Sequence, residues 1–266
     1  MTIPNIGLGT YRLKDDEAIN SVTTGLELGY RHIDTAQLYD NEVEVGQAIA
    51  RSAIPRSEIF VTTKVWIDKL SRDKLIPSLK ESLERLKMDQ VDLTLVHWPS
   101  PNSIIPVQEY MEAIAEAKAQ GLTKLIGISN FNNALFQQAI DVVGAQEIAT
   151  HQVEVHPFLQ NKKVVDFARS KGVHITAYMP LAVGKVMQSP VIQKIADHHK
   201  YSPAQIALAW SMQQGFAVIP SSTKRFNLEL NLQARHIQLS DEEMAEIATL
   251  EENYRIANPD IAPEWD

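Results

Sequence analysis

The chain has 266 residues, 44% hydrophobic and 22% charged, with a formal net charge of -8 and no cysteine. The lack of cysteine excludes disulfides, zinc ribbons, iron–sulfur clusters and thiol nucleophiles. The negative balance, with no long basic block, argues against a nucleic-acid partner, and no apolar run nears the roughly 20 residues of a membrane span.

The length suits two small units or one (β/α)8 barrel of roughly 250 residues, and it can bury a core without staples. The opening Met1-Thr-Ile-Pro-Asn-Ile-Gly7 has no basic region followed by an apolar stretch, so no signal peptide and a cytoplasmic location are expected. A first strand is expected at residues 6–9. A helix follows over 17–28, where Ile19, Val22, Leu26 and Leu28 fall near one face. Next come a strand at 31–34, a helix at 42–50, a strand at 59–64, and a helix at 73–86 with Leu75, Leu79, Leu83 and Leu86 aligned. The alternation continues with strands at 91–97, 125–129, 150–154 and 174–178, and helices at 107–120, 132–142 and 162–170. A helix at 191–199 leads to Ser202-Pro203, an N-cap followed by a first-turn proline, which opens another helix over 204–213. A strand at 217–220 precedes Ser240-Asp-Glu-Glu, a capping pattern that starts a final helix to about Leu250. The tail from about Asn253, with Pro259 and Pro263, reads as irregular.

Repeated β-α units imply parallel strands with right-handed crossovers, and eight of them imply closure into a single α/β barrel domain over 1–266. An open doubly wound sheet would carry a glycine fingerprint after its first strand. Gly7-Leu-Gly9-Thr-Tyr-Arg lacks the third glycine.

Four polar residues fall where a barrel gathers its chemistry. Asp34 ends the second strand, Tyr39 follows in the next loop, Lys64 ends the third strand and His97 the fourth. Such strand ends converge on one mouth, where barrel active sites lie. Singly, each has a plain structural role: a capping aspartate, a surface tyrosine, a solvated lysine, a hydrogen-bonded histidine. Together they fit reduction of a carbonyl, which needs hydride at carbon and a proton or strong hydrogen bond at oxygen. A tyrosine with a pKa of about 10 keeps its proton at neutral pH. A neighbouring lysine cation lowers that value, an aspartate keeps the lysine charged and aimed, and a histidine donates to the developing oxyanion. Tyr39 is then the general acid, Lys64 its tuner, Asp34 the lysine's partner and His97 the orienting donor.

The stretch Gly29-Tyr-Arg-His-Ile-Asp-Thr-Ala-Gln-Leu-Tyr-Asp-Asn-Glu42 closely resembles the signature of the aldo-keto reductases. Thr63-Lys64 and Val96-His97-Trp-Pro99 are similar to their next two catalytic segments. The resemblance runs in order from Gly7 to about Asn231, and is greatest to the small prokaryotic members that reduce 2,5-diketo-D-gluconate or methylglyoxal (the B type). It implies a (β/α)8 barrel that binds NADPH without a Rossmann fold, with the same tetrad. It also implies that Ser129 and Asn130 of Gly127-Ile-Ser-Asn-Phe131, with Gln152, meet the nicotinamide carboxamide, and that Tyr178 stacks on the ring. Met179, Leu181 and Gly184 then lie in the loop that straps the pyrophosphate.

Around the adenosine 2′-phosphate the chain departs from the family pattern of Pro-Lys-Ser, a later arginine, then Glu-Asn. It reads Ile219-Pro-Ser-Ser-Thr-Lys-Arg-Phe-Asn-Leu-Glu-Leu-Asn231, so Ser221, Asn227 and Leu230 stand where lysine, arginine and glutamate are usual. Ser222, Thr223, Lys224, Arg225 and the retained Asn231 are the expected contacts, with NADPH preferred over NADH. A solvated basic turn before a helix is the plain alternative for this segment. Tyr11, Trp66 and Trp98, with His97, are the expected substrate wall. The final Pro263-Glu-Trp-Asp266 is expected to approach the mouth, with no assigned role.

No metal is expected. In His151-Gln-Val-Glu-Val-His156 the spacing matches no zinc motif, and a strand would put His151 and Glu154 on opposite faces. His198-His199 sits at a helix end, where cations are favoured. The expectation is a monomeric NADPH-dependent reductase of small carbonyl compounds. The alternatives are a lyase using Lys64 as a Schiff base and a regulatory nucleotide-binding barrel.

Overall fold

The computed structural model describes residues 2–266. Its sheet runs β1 (Leu8–Gly9), β2 (His32–Asp34), β3 (Phe60–Val65), β4 (Val91–Val96), β5 (Thr123–Ser129), β6 (Ile148–Glu154), β7 (His174–Tyr178) and β8 (Ala217–Val218), all parallel and paired in chain order. Gly7 N donates to Val218 O at 2.8 Å, Gly9 N to Pro220 O at 3.0 Å and Val218 N to Asn5 O at 2.9 Å. These bonds join the two edges and close a (β/α)8 barrel.

Between and after the strands lie α1 (Asp15–Leu28), α2 (Glu42–Arg51), α3 (Arg72–Leu86), α4 (Val107–Ala119), α5 (Asn133–Val143), α6 (Lys162–Ser170), α7 (Pro190–His199), α8 (Pro203–Gln213), α9 (Arg225–Gln233) and α10 (Asp241–Ala248). Among the described residues none is long and apolar enough to cross a membrane. Ser240 closes the expected capping box with Glu243, and Ser202, expected as a plain N-cap, forms a full box with Gln205. Such caps stabilise a helix start by about 1 kcal/mol.

Period two along the strands sorts side chains between two cores. In β3, Val61 and Val65 face the helices and join the large cluster between barrel and helix ring. Phe60, on the other parity, joins Leu93 and Leu95 in a small separate cluster backed by Ile3. The inward face of β3 therefore reads Phe60, Thr62, Lys64: an apolar floor, a polar middle and a cation at the carboxyl-terminal end.

Most boundaries fall within one or two residues of expectation. β1 and β8 are shorter than expected, at two residues each. Pro220 has no N–H to extend the ladder of β8. At the closing seam a Cβ on Gly9 would stand 2.6 Å from Ile219 O, and one on Gly7 2.7 Å from His32 Nδ1. Gly9 thus serves barrel closure, while Gly7 leaves room for the His32 ring of β2. The segment read alternatively as a basic turn is helical from Arg225 onward, as α9.

Candidate active site

β2 ends at Asp34 and the chain turns at once through Gln37–Tyr39. Asn41 locks this turn. Its amide donates to Thr10 O and Leu13 O, each at 2.9 Å, and accepts from the Thr35 hydroxyl at 2.6 Å. Tyr39 is thereby set over the end of β3, where Lys64 is completely buried. The Lys64 ammonium donates to Asp34 Oδ1 at 2.5 Å, Thr35 O at 2.9 Å and the Tyr39 hydroxyl at 3.1 Å. An ammonium has three N–H donors, and all three are used. Asp34 Oδ2 accepts from Gln152 Nε2 at 2.9 Å, so both carboxylate oxygens are held.

Burial pushes the Lys64 pKa down, opposed by Asp34. Burial first, then Asp34 and Tyr11, pushes Tyr39 well above 10. This net direction is the reverse of the expected lowering by Lys64. The Lys64 N–H, which favours the phenolate, acts against a larger desolvation, and the phenol keeps its proton. His97 is pushed well below 6.5 by burial and then by Lys64, so its imidazole is neutral. Its ring sits edge-on to Tyr39 at 5.6 Å and to Trp66 at 5.2 Å between centroids.

Asp34, Tyr39 and His97 line a cleft of about 1120 Å³ together with Tyr11, Trp66, Trp98, Ser129, Asn130, Gln152 and Tyr178. Lys64 lies behind this wall. The Tyr178 hydroxyl donates to Asn130 Oδ1 at 2.6 Å, and Asn130 Nδ2 donates to His97 O at 3.0 Å and Ser129 Oγ at 3.1 Å. Ser129 Oγ donates to Gln152 O at 2.8 Å. The residues expected to meet the carboxamide thus already form one network, which reaches Asp34 through the Gln152 amide.

Met179, Leu181, Gly184, Ser222 and Thr223 also line the cleft. Met179, Ala182, Val183 and Gly184 have φ of 48°, 48°, 49° and 92°. For the three non-glycine residues this is a strained conformation that costs about 1–3 kcal/mol each and clusters at functional sites. Lys224, Arg225 and Asn231 do not reach the wall. Arg225 is paired with Glu27 of α1 at 2.8 Å, both side chains more than half exposed, and Asn231 is buried in α9.

Sequence reasoning brought only the last four residues towards the mouth and missed the stretch before them. Ile256, Ala257, Asn258, Pro259 and Ile261 form part of the cleft wall, and Trp265 stands edge-on to Trp98 at 6.0 Å. The one available signal was a tryptophan in an otherwise polar, proline-bearing end. His151 and Glu154 do separate as expected: His151 Nε2 accepts from Phe131 N at 3.1 Å, outside the barrel interior. His198 and His199 meet Glu243 of α10, with ligand-type atoms within 4.8 Å of one another. None of these three lines the cleft.

A family description of aldo/keto reductases matches residues 5–252. The chain belongs to the aldo/keto reductase family. It is 59% identical over 267 residues to methylglyoxal reductase DkgB of Escherichia coli O157:H7, covering 100% of both chains. It is 40% identical to an aldo-keto reductase of Mycolicibacterium vanbaalenii, over 96% of this chain and 90% of that protein. A solved structure assigned provisionally as a 2,5-diketo-D-gluconic acid reductase B superposes with a TM-score of 0.96 at 43% identity, covering 99% of this chain and 94% of that one. This aldo/keto reductase is therefore an oxidoreductase, and its family and relatives place it among enzymes of carbonyl reduction.

Proposed function

We propose that this enzyme reduces small aldehydes, diketones and keto-sugar acids, methylglyoxal and 2,5-diketo-D-gluconate among them, with hydride from NADPH and a proton from Tyr39. The observation that carries the reading is the buried Asp34–Lys64–Tyr39 chain at the cleft wall beside a neutral His97. The names of the relatives supply the substrate class.

The residues present fit a nicotinamide. With its N–H on Asp34, the Gln152 side chain keeps a carbonyl oxygen free to accept from a carboxamide. The Tyr178 ring forms the adjoining wall. Leu181, Val183 and Gly184 line the adjoining stretch of the cleft, next to Ser222 and Thr223. Ser222 and Thr223, and Lys224 just before the N-terminus of α9, offer donors to a phosphate. The bound cofactor supplies hydride.

The chain's own residues do the rest. Tyr11, Trp66 and Trp98 exclude water and confine the carbonyl. His97 Nε2 donates to its oxygen, which suits an imidazole kept neutral. Tyr39 holds a proton at the hydroxyl and gives it to that oxygen as charge develops there. Lys64, fixed by three acceptors, stabilises the phenolate left behind, and Asp34 keeps the lysine in place. The same three bonds disfavour a Schiff base, because a lysine nucleophile needs a free lone pair and access to substrate.

The test is a panel of methylglyoxal, diacetyl, 2,5-diketogluconate and a nitrobenzaldehyde, followed by nicotinamide absorbance with NADPH and NADH in parallel. Turnover with NADPH is expected. NADPH binding without turnover on any carbonyl would instead favour a regulatory nucleotide-binding barrel.

A further inference from the structure

The carboxyl end of β6 carries a buried acid that the chemistry above does not use. Glu154 is fully buried, and among the described residues no lysine or arginine lies within ion-pair distance of it. A carboxylate so placed is costly unless hydrogen bonds replace its water. Three do. His156 Nε2 lies 2.9 Å from Oε1, and His156 Nδ1 accepts from Leu159 N at 3.1 Å, which fixes the ring proton on Nε2. The other two donors are backbone groups of the C-terminal tail: Ile256 N to Oε1 at 2.8 Å and Ala257 N to Oε2 at 2.7 Å.

That tail has no regular structure of its own, yet it is fastened at both ends. Beyond the Glu154 anchor, Asn258, Pro259 and Ile261 run along the cleft. At the far end Asn132 Nδ2 donates to Glu264 O and Asn133 N to Asp266 Oδ2, both at 2.8 Å. Trp265 sits between the Arg255 guanidinium, 3.8 Å from its ring centre, and Trp98.

We propose that Glu154 is a positioning residue for substrate selection: its buried carboxylate, oriented with His156, holds the C-terminal strap in place as a wall of the carbonyl pocket. This rests on the carbonyl-reductase reading. Glu154 makes no hydrogen bond to Asp34, Lys64, Tyr39 or His97, so losing it should loosen the pocket more than it slows the chemistry. Small substrates depend most on a close wall, and bulky ones least.

The test is E154Q, which keeps the shape but cannot accept from both tail N–H groups on carboxylate oxygens. Expected is a rise of about tenfold in KM for methylglyoxal, with a much smaller change in kcat and in KM for a nitrobenzaldehyde, within the range set by small changes in pocket fit. Hydrogen exchange at Ile256 and Ala257 should quicken by about a hundredfold or more while β6 and β7 stay protected. An unchanged ratio of the two substrates, or tail amides still protected in E154Q, would overturn the proposal. If E154Q loses protection throughout the barrel, E154D takes its place. It keeps the acid but draws the carboxylate back by one methylene from Ile256 N and Ala257 N, and the same shift in substrate ratio is then required. Absence of turnover on every carbonyl would sink the functional reading, while exchange at Ile256 and Ala257 would still decide whether Glu154 holds the strap.

Discussion

At the scale of single residues, the site works by giving each polar group one geometry. Lys64 has its three donors committed, and Tyr39 is held protonated by burial. Tyr39→Phe removes the proton and leaves the ring, so kcat should fall by about 10²–10⁴-fold while NADPH affinity, read by fluorescence titration, stays nearly constant. A mutant with wild-type kcat would refute Tyr39 as the donor. Arg225 raises a different question, because it spends the free state paired with Glu27. An exposed pair of this kind is worth about 0–1 kcal/mol, little enough for a 2′-phosphate to displace. Arg225→Ala should therefore weaken NADPH binding more than NADH binding. Equal losses would mean that the side chain reads no phosphate.

At the scale of elements, the parallel strands were legible because both faces are buried, and such strands read as continuous β-branched and apolar runs. The tetrad was legible because a strand's end fixes where its last side chains point. Two things were not. The limits of β1 and β8 depend on a seam where Gly9 must approach Ile219 O, a contact between opposite ends of the chain. The tail has no period to read, and its anchor joins Glu154 to Ile256 across 102 residues. Ser240 shows what local sequence does carry. It caps α10, and the Glu243 of its capping box also accepts from His198 and His199 of α7. Ser240→Ala should cost about 1 kcal/mol, a fall of about 2–4 °C in Tm for a chain near this size. Glu243→Ala should cost more, since it loses the cap and the link between helices together. Equal melting shifts would show that the histidine contacts add nothing.

At the scale of the whole molecule, the barrel keeps several histidines dry, and this sets its response to acid. Burial pushes His32 down to about 4 and His151 to about 3, and His97 well below 6.5. All three are neutral in the folded state, whereas in the unfolded chain each takes up a proton near pH 6.5. The unfolded state therefore binds more protons over this range, and folding stability must fall as pH falls. The stability is complete above about pH 6.5 and is lost progressively towards the folded values near 4 and 3. At pH 5.5 His32 and His151 each cost about 1.4 kcal/mol, so the two together remove about 3 kcal/mol, a large share of the 5–15 kcal/mol typical of a folded chain, and His97 acts in the same direction. Urea midpoints at pH 7.5 and 5.5 measure this directly. His151→Gln isolates one contribution, because a glutamine carbonyl can still accept from Phe131 N but does not titrate. The variant should lose about 1.4 kcal/mol less than the parent between the two pH values. If both lose the same amount, His151 takes its proton without unfolding, and the barrel wall around Phe131 and Phe136 must admit a charge that its burial argues against.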